Sequence, residues 1–293
     1  MTHLSVMPLA LRTMLLAFSA SFLLAACGVG GTGSPTPTGS PGPSSGPIEH
    51  ATGETDVVLR FEEGGGFVPL GFLAGQAPTF TLYGDGTIIF RDVTAVFPPA
   101  DDAVQRQLPY RIARLSEDQV QELLAFAIGP GALGIARAAY DPGNVADAPT
   151  AIFTLTAGGL SKTVSVVALG FDNPQSPDAP ILKALARVGE RLRAFDAPGA
   201  QVWTPDRYRG VLTEDAFGEP RAWPWPDIAP ADFRPLQLPT GQTWIARTMT
   251  GAEVAVLALD DIEGGFLNLV LSGPGDGKTY SLTLRPLLPD EVA

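Results

Sequence analysis

The side chains with chemistry to offer in this chain are carboxylates and tryptophans. Asp260-Asp261-Ile262-Glu263 is the densest acidic run, and Gly264-Gly265 follows it. Oxygen donors on a turn suit Ca²⁺, so Asp260, Asp261 and Glu263 are candidate metal ligands, although their spacing is not that of an EF-hand. A solvated helix end or turn accounts for the same residues. Asp141, Asn144 and Asp147 share one Pro- and Gly-containing loop, a composition found in binding loops and in ordinary turns alike. All four Trp lie beyond residue 200, and Trp223 and Trp225 alternate with Pro224 and Pro226. The prolines stiffen this pair. Exposed, such rings bind sugars, peptides or partner proteins. Buried, they fill a core against Phe217, Phe233 and Phe266. Paired carboxylates also run glycoside hydrolysis, but any acidic chain supplies such pairs.

Other chemistry is excluded by what the chain lacks. It has one Cys and two His; His3 lies in the first 26 residues and His50 sits at the edge of a Gly- and Pro-rich linker. A Ser-His-Asp or Cys-His arrangement needs an imidazole held by the fold, and zinc needs several Cys or His. Gly277-Lys278-Thr279 ends like a phosphate-binding loop, but the glycine required five residues before Gly277 is Ser272, and a strand pattern follows where a helix is needed. Ser161 and Lys162 are neighbours on a strand pattern, so they face opposite ways and make no dyad. The net charge of −12 and the presence of only three Lys argue against nucleic acid and against adhesion to anionic lipid. No cofactor is expected.

The beginning of the chain carries a different kind of signal. Residues 1–13 hold one cation, Arg12, and no acid. Residues 14–24 are an apolar run, long enough for a signal peptide and short of the roughly 20 residues that cross a bilayer as a helix. Leu24-Ala25-Ala26-Cys27 follows directly. This resembles the lipobox of bacterial prolipoproteins. The resemblance implies cleavage after Ala26 by the lipoprotein signal peptidase, with Leu24, Ala25 and Ala26 as recognition residues. It further implies a diacylglyceryl thioether on Cys27, the first residue of the mature chain. Two or more acyl chains give stable membrane anchoring. The anchored protein would then lie on the extracytoplasmic face of the membrane, or of an outer membrane where the cell has one.

Residues 28–47 are Gly, Pro, Ser and Thr apart from Val29. Such a segment buries no apolar area and reads as a disordered tether. Its reach is about 25 Å as a flexible coil and about 60 Å as an extended polyproline helix.

From residue 48 the chain reads as globular, with 45% hydrophobic and 17% charged residues overall. Strands are expected over residues 56–62, 79–83 and 87–91, with the turn of the last two at Gly84-Asp85-Gly86. Residues 107–114 suggest an edge strand broken by Pro109. Ser116 and Gln119 form a capping box that opens a helix ending at Gly129-Pro130. Residues 132–139 suggest a second short helix. Residues 151–156 and 162–167 bracket Gly158-Gly159 as a hairpin, and residues 180–195 carry a helical apolar stripe. A strand over 242–248 leads to a second capping box at Thr250 and Glu253, after which residues 252–259 fit helix or strand equally. Residues 267–271 and 280–284 form a last hairpin around Asp276-Gly277.

Hairpins separated by helices favour an α+β fold of antiparallel β-hairpins with helices packed on one face. The expected division is a signal peptide at 1–26, a lipidated Cys and linker at 27–47, an α+β domain at 48–197 and a smaller Trp- and Pro-rich subdomain at 198–293. This order of elements, ending in Arg285-Pro-Leu-Leu-Pro-Asp-Glu291, is similar to that of uncharacterised bacterial lipoproteins, and the likeness implies no activity. The expectation is a non-catalytic binding or envelope-interaction domain. Its partners are the membrane through Cys27 and an envelope protein or glycan. The alternatives are a carboxylate-dependent hydrolase of an envelope glycan and a structural envelope component.

Overall fold

A computed structural model of the chain describes residues 46–91, 101–141, 143, 145–171, 174–214, 216, 218–237, 242–275 and 277–291. The signal segment, Cys27 and the tether up to residue 45 lie outside the described residues, as do Asn144, Phe217 and Asp276. From Gly46 onward the chain is one compact unit.

The architecture is α+β, mostly strand with a few helices. Strands β1 (Val57–Gly64), β2 (Phe80–Tyr83), β3 (Thr87–Phe90), β4 (Arg111–Arg114), β5 (Ala139–Tyr140), β6 (Thr150–Ala157), β7 (Leu160–Val167) and β8 (Gln201–Val202) form an eight-stranded sheet ordered β5-β7-β6-β1-β2-β3-β4-β8. Strands β9 (Arg207–Thr213), β10 (Arg221–Ala222), β11 (Arg234–Gln237), β12 (Thr243–Thr250), β13 (Phe266–Ser272) and β14 (Thr279–Pro286) form a six-stranded sheet ordered β10-β13-β14-β9-β12-β11. The helices are α1 (Leu70–Ala74), α2 (Glu117–Ile128), α3 (Ala179–Arg193) and α4 (Gly251–Ala255). Both sheets are mixed. The two-residue strands β5 and β10 pair in parallel with β7 and β13, while the longer neighbours pair antiparallel.

Strand alternation decides what each face meets. Phe61, Phe153 and Leu155 pack with Val120, Leu123 and Leu124 of α2 and with Leu185, Val188 and Leu192 of α3. The β6–β7 turn needs left-handed backbone at both central positions, and Gly158 and Gly159 supply it at φ +61° and +74°. Gly86 and Gly277 likewise take positive φ. At the start of α2 the Gln119 N–H donates to Ser116 Oγ, while the Gln119 side chain accepts from the Ser116 N–H.

Three segments differ from the sequence pattern. Residues 132–138 are turns and bends rather than a helix, and Ala139 opens β5. The N–H groups of Gly131, Leu133 and Gly134 donate to the carbonyls of Phe126, Ala127 and Ile128, so the loop satisfies the open end of α2. The run 107–114 is split at Pro109. Gln107 donates to the Gly265 carbonyl beside the second sheet, and only β4 joins the first. The capping box at Thr250 and Glu253 starts a helix that stops at Ala255.

Three further contacts join the sheets. Helix α1 leaves β1 and lies on β13 and β14, where a Cβ at Gly71 would come within 2.8 Å of the Leu267 carbonyl oxygen. Residues 105–107 pair with the start of β13, with the Leu267 N–H donating to the Gln105 carbonyl at 2.8 Å. The chain after β14 returns to the rear of the first sheet, where Leu288 is fully buried among Tyr83, Ile89 and Tyr110. At the other end, Gln121 holds the Ile48 backbone through both its N–H and its carbonyl, at 2.6 and 2.8 Å. The Gly158 N–H donates to the Glu49 carbonyl, and His50 bridges to Ala157.

The cap of α2 gives a direct test. Ser116→Ala leaves the Gln119 N–H without its side-chain acceptor and is expected to cost about 1 kcal/mol, read as a lower denaturant midpoint with an unchanged slope.

Candidate functional site

A cleft of about 620 Å³ opens between the two sheets. Ligand sites span about 300–1,000 Å³. Two excursions from the first sheet make its walls. Residues 64–76 run from β1 through α1, and residues 105–108 precede β4. Leu267 at the start of β13 closes it from the second sheet. Where β1 ends, the Phe67 N–H donates to the Asp147 carbonyl, which sets the loop holding Asp147 beside the opening. Phe67 is 88% exposed and Phe72 44%, so the mouth presents aromatic surface to water.

The floor is polar and mostly self-satisfied. Gln76 accepts from the Gly65 N–H, and Gln107 donates to the Gly75 carbonyl at 3.1 Å. Arg106 grips both oxygens of Asp102 at 2.9 Å, which holds that carboxyl well below its ordinary range, and its Nε donates to the Asp260 carbonyl at 2.7 Å. Glu63 is bound through both oxygens by Arg193 at 2.6 Å. Arg91 differs. It donates to the Gln107 side chain and to the Gly264 carbonyl, stacks over the Tyr110 ring at 4.2 Å, and makes no salt bridge with any described residue. Its Nε is buried without an acceptor.

Tyr110 is fully buried, and its hydroxyl donates to the Pro78 carbonyl at 2.6 Å. Behind it lies the network that fixes the returning C-terminal segment. Asp290 accepts from Arg60 at 2.6 Å and from the Tyr83 hydroxyl at 2.7 Å. Burial, then the bond to Asp290, drives the Tyr83 phenol far upward. Glu291 accepts from Arg285 at 2.9 and 2.6 Å and from the Leu288 N–H at 2.8 Å. Burial pulls its carboxyl upward, but Arg285 and its other partners outweigh that and hold it below the ordinary value. Glu62, on the same face of β1 as Arg60, is raised by burial, with Arg60 pulling it down and Glu291 pushing it up.

The other candidate residues are dispersed. Trp225 is 5% exposed, with its indole N–H donating to the Glu253 carbonyl at 2.7 Å. Trp223 is half-buried, donates to the Ile228 carbonyl at 2.6 Å, and packs edge-on against Trp225, Phe233 and Tyr280. The pair therefore forms part of the second core and offers no open stacking platform. Asp260, Asp261 and Glu263 lie in the bend between α4 and β13. Among the described residues no group of three or more acidic, His or Cys side chains could hold an ion. The Asp260 carbonyl accepts from Arg106 Nε. Asp141 accepts from the Gly143 N–H at 2.8 Å as an ordinary turn residue and lines a separate hollow of about 320 Å³ with Phe171, while Asp147 edges the main cleft. Asn144 lies outside the described residues. Arg91, Gln76, Gln107, Phe67 and Phe72 carry no motif. The one trace of the cleft in the sequence is the run Gly64-Gly65-Gly66-Phe67, which interrupts a strand pattern with glycine and an exposed ring.

No family model, no curated protein and no solved structure matches this chain.

Two substitutions test this account. Trp225→Ala is expected to cost about 3–5 kcal/mol, as for other buried aromatics, seen as a large drop in thermal midpoint. Glu62→Gln is expected to stabilise the protein at neutral pH. A carboxyl raised in the folded state favours folding fully only below its unfolded value, and loses that contribution as pH rises through the folded value. The gain of the variant over the wild type should fade as pH falls through the raised folded-state value and be gone below about 4.3, a trend readable from denaturation midpoints across that range.

Proposed function

We propose that this chain is an extracytoplasmic bacterial lipoprotein, anchored by acyl chains on Cys27, whose folded part works as a non-catalytic binding domain in the cell envelope. Leu24-Ala25-Ala26-Cys27 behind an apolar run of signal-peptide length supports the anchoring. One geometric observation carries the binding role: the cleft opens at the opposite strand ends from the point where the tether joins. Residues 46–50 meet the sheet at Ala157 and Gly158, the end of β6, whereas Gly64 and Thr150 pair at the cleft end of β1 and β6. Eight residues of strand separate these ends by about 25 Å. The described chain thus enters the fold at the strand ends opposite the cleft, which leaves the cleft mouth clear for an envelope protein or glycan. The finer architecture in this reading is antiparallel hairpins with helices on one face over residues 48–197 and a smaller Trp- and Pro-rich lobe over 198–293.

Acylation is the step to test first. Cells fed radioactive palmitate are expected to label the wild-type chain and not Cys27→Ser, with the unlabelled variant accumulating at precursor size. Equal labelling of the two would remove the anchor from this reading.

A further inference from the structure

We propose that the cleft takes a monocarboxylate with an apolar body, its carboxylate on Arg91 and its body against Phe67 and Phe72; this rests on the reading of the folded part as a binding domain. Charge supplies the first argument. The chain carries a net charge of −12, yet the Arg91 guanidinium in this cleft makes no salt bridge with an acid among the described residues. The other charges on its walls are already answered: Arg106 by Asp102 and Glu63 by Arg193. Asp147 lies on the exposed rim, where water screens it. A half-buried cation without a counter-charge is costly, and one anionic oxygen pair relieves it.

Donor supply is the second argument. Arginine has five N–H donors in a planar fork that matches a carboxylate. Arg91 donates from Nη1 to Gln107 and from Nη2 to Gly264, and each of these nitrogens carries a second N–H. The stack on Tyr110 fixes the plane of the fork. Its buried, unmet Nε–H marks a guanidinium with more donor capacity than the protein satisfies. A single guanidinium balances a single negative charge, so a carboxylate fits and a phosphate dianion would leave a charge over.

Apolar surface is the third argument. Phe67 and Phe72 stand exposed at the mouth, and Val68 and Leu108 continue that wall inward. Rings this open to water gain most when a ligand covers them.

The test is calorimetry on the mature lipoprotein in detergent, with empty micelles as blank, using 3-phenylpropionate and its neutral amide as matched probes. The acid is expected to bind at least about tenfold more tightly than the amide, a difference of about 1.4 kcal/mol. Arg91→Gln should erase that preference, and Phe67→Ser should weaken both probes. Equal binding of acid and amide, binding of neither, or a preference that survives Arg91→Gln would overturn the proposal. Should Arg91→Gln lower the denaturation midpoint, the exposed Phe67→Ser decides, and unchanged affinity there refutes it. Acylation of Cys27 is scored separately, so loss of the anchor and loss of the carboxylate site are told apart.

Discussion

Arg285 and Glu291 hold each other through two hydrogen bonds where little water reaches, and the path of the whole chain depends on that pair. Taking two charges out of water offsets most of their attraction, so such a pair contributes little net stability. Its consequence is directional. With Glu291 fixed on Arg285, the segment after β14 has to turn back, bringing Leu288 beneath Tyr83, Ile89 and Tyr110 and Asp290 within reach of Arg60. The second sheet is thereby fastened to the rear of the first by its own final residues. Breaking one partner would leave a buried charge alone, which is far worse than never having had the pair.

The cleft exists because the two sheets are joined in this way. The 64–76 and 105–108 segments belong in sequence to the first sheet but rest on the start of β13. Gly71 and Gly75 let α1 lie close against β13, since a Cβ at either would meet Leu267. Arg91 links floor and foundation, since the ring it stacks on is also packed against Leu288.

Local grammar was legible in the sequence and long-range placement was not. The capping boxes at Ser116 and Thr250 and the Gly158-Gly159 turn depend on residues three or fewer apart, and each is present. Residues 132–139 were misread because their apolar content suits a helix, while the open carbonyls of α2 compete for the same N–H groups. The fate of Trp223 and Trp225 depends on where β9, β12 and β14 lie, which no local pattern encodes. Arg91 looked like any strand-end arginine. Its significance comes from Gly264 and Tyr110, distant in sequence.

The grip of Gln121 on Ile48 also bears on mechanics. Any pull arriving along the preceding residues meets two hydrogen bonds to one amide side chain, then the Glu49 carbonyl bonded to Gly158. The load passes into α2 and the β6–β7 hairpin, both packed into the first core, before it reaches β1. Strand β1 lies between β2 and β6, so peeling it out would open the middle of the sheet. Gln121 acts as a strain relief of the kind that keeps tension on a cable from reaching its solder joint.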